Sequence, residues 1–427
     1  MRKFGVPLLA IVIGIAIGFL IAAPRPPAAE AEVPGTGFAA IPGEKGGQDL
    51  FGGYEPVEGW PKPLSTMPGH DGWTHGAAQG IYPESADRVF MVQRGELPDL
   101  QRPEEAIPVP GYRHGIVFPA GPGGTFRNAS GVSPGNGNAE GIVYNNGELG
   151  VDARWEHNIM VVNREGDFIE AEVWSQWDNL FRRPHSVYIN PYDPERHVWV
   201  VDDTGHSIRK FSNDGQTLVQ TLGTPYESGN DASHFNRPTF LAWLPDSTLF
   251  VADGYANTRV VKFDAQGNYV MAWGERGTPP TEQRPGYFNS VHGIAVDPES
   301  RRVFVNDRTN RRVQVFDENG TFIDQWNYGR AGTSDAHSIY MGNDGALWVV
   351  DRTSHKMVKY NQEGNLLYSW GTFGEFPGGF WGVHQISVDQ EGNLYTAAVN
   401  AGVFQKYRPR PGVNPAVLIA PAPVPAS

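Results

Sequence analysis

The chain has 427 residues, with 34 Lys+Arg against 47 Asp+Glu, a formal net charge of −13. That balance argues against a non-specific nucleic-acid binder, which needs a cationic face for phosphates. Its 52 Gly and 35 Pro exclude a helix bundle, and the absence of Cys excludes disulfides, thiolate metal sites and cysteine nucleophiles.

Arg2 and Lys3 precede an uncharged apolar run from Phe4 to Ala23. Twenty residues at helical rise reach about 30 Å, enough to cross a bilayer, whereas a cleaved secretory signal has a shorter apolar core. Residues 1–23 therefore read as a signal-anchor, with Ala29-Glu30-Ala31 as the cleavage site if the segment is instead a removed signal. In both cases the positive end stays cytoplasmic and the body is exported: membrane-anchored and extracytoplasmic, or secreted or periplasmic. Residues 24–50 are Pro/Ala/Gly-rich and read as a linker. Residues 409–427 share that composition and read as a loose tail.

Between these ends the sequence repeats. Pro184-His185-Ser186-Val187, Pro238-Thr239-Phe240-Leu241, Val291-His292-Gly293-Ile294, Ala336-His337-Ser338-Ile339 and Val383-His384-Gln385-Ile386 follow one another at spacings of 54, 53, 45 and 47 residues. Each opens a unit of short apolar strands. The second strand ends in Asp202, Asp253, Asp307 or Asp351, and a Gly turn (Gly215, Gly267, Gly320, Gly364) leads to the fourth strand. Four short strands per unit of this length describe a propeller blade. A divergent first blade lies upstream, with Gly80-Ile81 in place of the His pair, Val89–Val92 as second strand and Asn158–Asn163 as third. Residues 97–155 form a long insertion in it. The last unit shows three strands, and Tyr54–Val57 supplies its fourth. The expectation is an all-β, six-bladed β-propeller over residues 51–408.

The first strand of each blade lines the channel, so equivalent positions form a ring: Gly80, His185, Thr239, His292, His337, His384. His185, His292 and His384 fall on alternate blades, related by a pseudo-three-fold axis. Three imidazoles aimed at one axis make a metal site with an open position. An imidazole-only set points first to Zn²⁺, with Fe²⁺ and Cu²⁺ as alternatives. His337 is the spare: a fourth ligand, a neighbour of the ligands, or an acid/base group that meets substrate. The strand-end Asp residues read as structural partners of Arg259 and Arg312. Tyr255 sits in a loop one residue longer than its counterparts, beside the channel mouth. Arg94, Arg308 and Arg352 share that rim, where a substrate carboxylate gives them a purpose.

These residues carry a resemblance. The repeats resemble NHL repeats, and the pattern over roughly residues 54–407 resembles the peptidyl-α-hydroxyglycine α-amidating lyases. The most specific stretch runs from His234-Phe235-Asn236-Arg237-Pro238-Thr239 to Ala252-Asp253-Gly254-Tyr255-Ala256-Asn257-Thr258-Arg259. The resemblance implies a catalytic Zn²⁺ on His185, His292 and His384, a catalytic Tyr255, and substrate-carboxylate binding by Arg94 and Arg308. Departures accompany it. Gly382-Val383-His384-Gln385 stands where the family has Met-Pro-His-Asp. That Asp helps hold a structural Ca²⁺ in the family, which leaves the backbone carbonyls of Ile81 and Val187 as the Ca²⁺ ligands on offer here. His337 is additional, and the 427 residues read as carrying no copper monooxygenase pattern.

The function implied is a Zn²⁺-dependent lyase that splits the C–N bond of a carbinolamide to an amide and glyoxylate. Its substrate is a small molecule or peptide derivative bearing a carboxylate. Two alternatives stand beside it. One is a non-catalytic, membrane-anchored propeller that binds a protein or glycan. The other is a Ca²⁺-dependent lactonase-like hydrolase, whose channel carboxylates the His ring does not supply.

Overall fold

Val, Ile, Phe, Tyr and Trp crowd the predicted strands, a composition suited to sheets packed on both faces. The computed structural model, which describes residues 49–99, 154–278, 282–328 and 335–423, has six such sheets. Blade 1 comprises Trp73–Ser85, Arg88–Pro98, Ile159–Val162 and Phe168–Ile169. Blades 2 to 5 open with Pro184–Ile189, Pro238–Trp243, Val291–Val296 and Ala336–Met341, and each adds three further strands in chain order. Blade 6 comprises Val383–Val388, Leu394–Ala398 and Val403–Pro409, and Tyr54–Pro56 pairs antiparallel with the last of these. A strand from before blade 1 thus completes blade 6 and closes the ring, covering the edge of Val403–Pro409. The apolar segment Phe4–Ala23, the linker as far as residue 48 and residues 100–153 of the insertion lie outside the described residues. Among the described residues no helix is long and apolar enough to cross a membrane.

The core is divided among the seams. Six buried apolar clusters lie one between each pair of neighbouring blades. At the blade 1–2 seam the short helix Ala171–Ser175 inserts Trp174, fully buried against Phe90 and Phe211. The tail differs from the expectation of a loose end. Val417 and Ile419 are buried in the blade 5–6 cluster, the Ile419 amide donates to Tyr54 Oη (2.9 Å), and the Asn343 amide donates to the Pro421 carbonyl (2.8 Å). The Pro/Ala composition hid a short apolar run, Val417-Leu418-Ile419, that covers the closing strand.

Each inner strand has one residue more than its partner at the same point of the ladder. Such a bulge re-aims a side chain, and here it falls on the ring positions.

Closure through Tyr54 makes a testable demand. Tyr54→Ala should lower stability by about 3–5 kcal/mol, as expected for truncating a buried aromatic. A chain beginning at residue 58 should lose cooperative thermal unfolding that one beginning at residue 46 keeps. Equal melting profiles for the two chains would show that the closing strand is dispensable.

Candidate active site

The bulges bring four imidazoles to one end of the channel, all buried. Each gives its Nδ1–H to a carbonyl of the next inner strand. His185 donates to Thr239 (3.0 Å), His337 to Val383 (2.7 Å), His384 to Gln79 (2.7 Å), and His292 to His337. A carbonyl can only accept, so the proton is on Nδ1 and the Nε2 lone pair is left for the axis. The ring residue of blade 1 is Gln79 rather than Gly80. The ladder pairs Ala78 with Gln93 and Gly80 with Val92, which leaves Gln79 as the bulged residue. Gly80 serves a close crossing, where a Cβ would stand 2.8 Å from Gln385 Oε1 and 2.9 Å from the Val187 nitrogen.

His185, His292 and His384 form one cluster whose ligand atoms all lie within 4.8 Å of one another. Their ring centroids are 4.5 to 5.3 Å apart. Burial is the largest influence on each, and together with the neighbouring cationic groups it depresses their pKa values, that of His384 to about 3. They are therefore neutral at pH 7, the form that ligates. His384 Nε2 is buried with no hydrogen-bond partner among the described residues, a costly arrangement that a metal ion would relieve. The residues fit a three-imidazole metal centre. His337 stands beside the cluster, 5.3 Å from His384 and 6.1 Å from His292 between ring centroids, and is not part of it. Phe240 lies 5.1 to 5.2 Å from all three cluster rings and also lines the apolar cavity at the other end of the inner strands. Its ring is the floor of the site.

Tyr255 enters from the loop after the second strand of blade 3. Gly254 lets that loop cross the neighbouring strand, since a Cβ there would stand 1.8 Å from the Val291 carbonyl oxygen. Tyr255 Oη lies 2.7 Å from His292 Nε2 and 3.3 Å from His185 Nε2. Two groups that the sequence did not single out complete its surroundings. The Arg237 guanidinium sits 4.5 Å over the Tyr255 ring, and that of Arg183 lies 5.8 Å from it. Both ion-pair with buried Asp203, Arg237 at 3.2 Å. Burial opposes charge on Asp203, but Arg183, Arg237 and Arg94 outweigh it and hold its pKa below the ordinary carboxylate value. The overlooked signal is the recurrence of Arg-Pro before the ring residue, in Arg183-Pro184-His185 and Arg237-Pro238-Thr239.

Arg94 is buried, in the second strand of blade 1. Arg308 pairs with Asp335 at 2.5 Å, and Arg352 meets the same carboxylate at 2.7 Å. Arg94, Arg183 and Arg308 all act electrostatically on His384 and help keep its imidazole neutral. Of the strand-end Asp residues, Asp253 pairs with Arg259 and Asp307 with Arg312, each at 2.8 Å. Asp202 instead accepts the backbone amides of Arg182, Arg183 and Gly205, and Asp351 accepts from Ser354.

The Ca²⁺ site expected at Ile81 and Val187 does not fit. Gln385 Nε2 donates to the Val187 carbonyl (2.8 Å), and its Oε1 accepts the Val187 amide (3.2 Å). A neutral amide occupies both hydrogen-bonding groups of Val187, and its N–H points at the oxygen a cation would need.

No family model matches the sequence. Peptidyl-glycine alpha-amidating monooxygenase A of Xenopus laevis is 29% identical over 269 residues, 61% of this chain and 28% of that protein. Peptidyl-alpha-hydroxyglycine alpha-amidating lyase 1 of Drosophila melanogaster is 30% identical over 263 residues, 57% of this chain and 47% of that protein. The chain thus spans less than a third of the monooxygenase and about half of the lyase. NHL repeat-containing protein 3 of Homo sapiens is 31% identical over 276 residues, 59% of this chain and 72% of that protein. With that coverage and a six-bladed ring, the chain belongs to the family of NHL repeat-containing propeller proteins, and amidating lyases are among its homologues.

Proposed function

We propose that the protein is a metal-dependent carbon–nitrogen lyase that cleaves an N-acyl-α-hydroxyglycine-like carbinolamide to an amide and glyoxylate. The observation that carries this reading is the convergence of three neutral imidazoles, Nε2 inward, on a site where Tyr255 Oη stands 2.7 Å from His292 Nε2. His185, His292 and His384 would hold Zn²⁺, which supplies Lewis-acid polarisation of the substrate hydroxyl.

The chain's own groups do the rest. Arg94 and Arg308 bind the carboxylate and orient the carbinol carbon. Tyr255 Oη, reacting as the phenolate, takes the hydroxyl proton as the O–H electron pair becomes the new C=O bond. The C–N pair leaves with nitrogen, which receives that proton and departs as a neutral amide. The reaction is redox-neutral and needs no co-reactant. Arg237, over the Tyr255 ring, stabilises the phenolate before it takes the proton, and Phe240 closes the channel below. The lactonase alternative lacks the carboxylates it needs, because the ring positions hold Gln79, Thr239 and four His.

We also propose export of the body behind residues 1–23, on the strength of Arg2, Lys3 and the apolar run. Fractionation of cells making the full chain should place it in the membrane or extracytoplasmic fraction, and recovery in the cytosol would overturn this.

Tyr255→Phe should lower kcat for glyoxylate release by about 10²- to 10⁴-fold, with KM little changed and the fold intact. Unchanged turnover would remove Tyr255 from the proton transfer. His292→Ala should abolish both turnover and the axial metal equivalent measured by elemental analysis. Turnover by a folded, axially metal-free chain would overturn the lyase reading.

The metal-free protein should also be acid-labile. The folded chain holds these imidazoles neutral, while the unfolded chain takes up protons below about pH 6.5, so stability falls as pH drops. Each fully depressed His contributes about 1.4 kcal/mol per pH unit in that window. The chelator-treated protein should melt at a lower temperature at pH 5.5 than at pH 7.5. Equal melting temperatures would mean that the imidazoles are protonated in the fold.

A further inference from the structure

We propose a second divalent-cation site at His70, Glu96 and His157, with Glu156 at its rim and no residue shared with the axial cluster. Three separate segments meet here: the turn before blade 1, the second strand of blade 1, and the chain entering its third strand. His70 Nδ1 lies 3.0 Å from Glu96 Oε2, and His157 Nδ1 lies 3.0 Å from Glu96 Oε1. Two ligands about 2.1 Å from an ion and at right angles stand about 3.0 Å apart, so these separations suit neighbouring positions on one cation. The two imidazoles meet edge to face with centroids 4.7 Å apart, and the ligand atoms of all four residues lie within 4.8 Å of one another.

Glu96 is fully buried, and among the described residues its ion-pair partners are these two His, with no Lys or Arg. A buried carboxylate without a fixed cation is costly. The cluster is held firmly. His157 has a left-handed backbone, φ 53°, fixed by its amide donating to Asp178 Oδ2 (2.8 Å) and its carbonyl accepting from Gln93 Nε2 (3.1 Å). The backbone of Glu96 pairs both ways with Arg154, at 2.8 and 3.0 Å. Two imidazoles and a carboxylate take borderline divalent ions such as Zn²⁺, Mn²⁺, Fe²⁺ or Co²⁺. An ion here ties together the chain on either side of residues 100–153, two residues from Arg94 on the same strand.

The test uses Co²⁺, whose visible spectrum reports nitrogen and oxygen ligation, on chelator-treated His292→Ala protein. One equivalent should produce a saturable visible band, and adding His70→Ala or His157→Gln should abolish it while circular dichroism shows an intact fold. With the axial ligands intact, the metal-stripped chain resupplied with Zn²⁺ should take up two equivalents, falling to one in His70→Ala. A band that survives both substitutions, for example from the surface group Asp193, Glu195 and His197, overturns the proposal. So does an unchanged stoichiometry in His70→Ala, or no band at all, which would leave the group a hydrogen-bonded cluster only. Loss of the axial equivalent alone bears on the lyase reading and leaves this site standing.

Discussion

The Nδ1–H···O=C bond between each axial imidazole and the next blade is the interaction on which fold and site both depend. His185, His292, His337 and His384 each reach the following inner strand this way, and the Thr239 hydroxyl reaches the His292 carbonyl at 2.7 Å. These bonds tie five of the six blade junctions at the axis. They also fix the tautomer. An imidazole that spends its proton on a carbonyl has only a lone pair to present inward, so the geometry that closes the ring also makes a ligand set. Buried polar groups joined in this way are strong when complete and expensive when one member is missing. Among the described residues, the buried Nε2 of His384 and the side-chain amide of Gln79 are the ring atoms left without a partner, and the imidazole lone pair is the one suited to a metal ion.

Much of this was legible because a propeller writes its geometry into its spacing. Units of 45 to 54 residues place equivalent residues on one ring, so four His at one repeat position had to meet. The misplacement of blade 1 by one residue has a physical cause. Its inner strand, Trp73–Ser85, is 13 residues long and carries no His at the bulge, so nothing in the letters separates Gln79 from Gly80. Only the ladder does, along with the tight approach of Gln385 that forbids a side chain at 80. Arg183 and Arg237 were visible as a recurring Arg-Pro, but their function depends on sharing Asp203, and no one-dimensional pattern reports that. The His70–Glu96–His157 cluster was illegible. Its contacts span 26 and 61 residues within the one blade that breaks the repeat.

Gln385 shows how a single residue changes the chemistry of a crossing without changing its shape. The channel must be bridged near Val187, because the peptide groups there have no other strand to pair with. A cation coordinated by carbonyls is one bridge. An amide that donates to the Val187 carbonyl and accepts from its amide is another, and it brings no charge. The neutral bridge suits what lies above it. Positive charge beneath the imidazoles would compete with any metal they hold, whereas an amide leaves the axial cluster as the only metal-ligand group among the described residues of the channel.

Charge elsewhere follows a similar division. The chain carries a net −13, yet Arg94, Arg183, Arg237, Arg308 and Arg352 gather at one mouth, where Asp203 holds Arg183 and Arg237 and Asp335 holds Arg308 and Arg352. Two anions tethering guanidinium groups leave a net positive rim over a low-dielectric channel, and such a rim concentrates field lines on an entering anion. The tethers also limit the side-chain entropy that each Arg would lose on binding. A carboxylate entering this mouth would meet guanidinium donors already tethered. A neutral ester or lactone would gain nothing from that rim. On the proposed reaction, the rim would act on the charge of a substrate before the imidazoles and Tyr255 act on its chemistry.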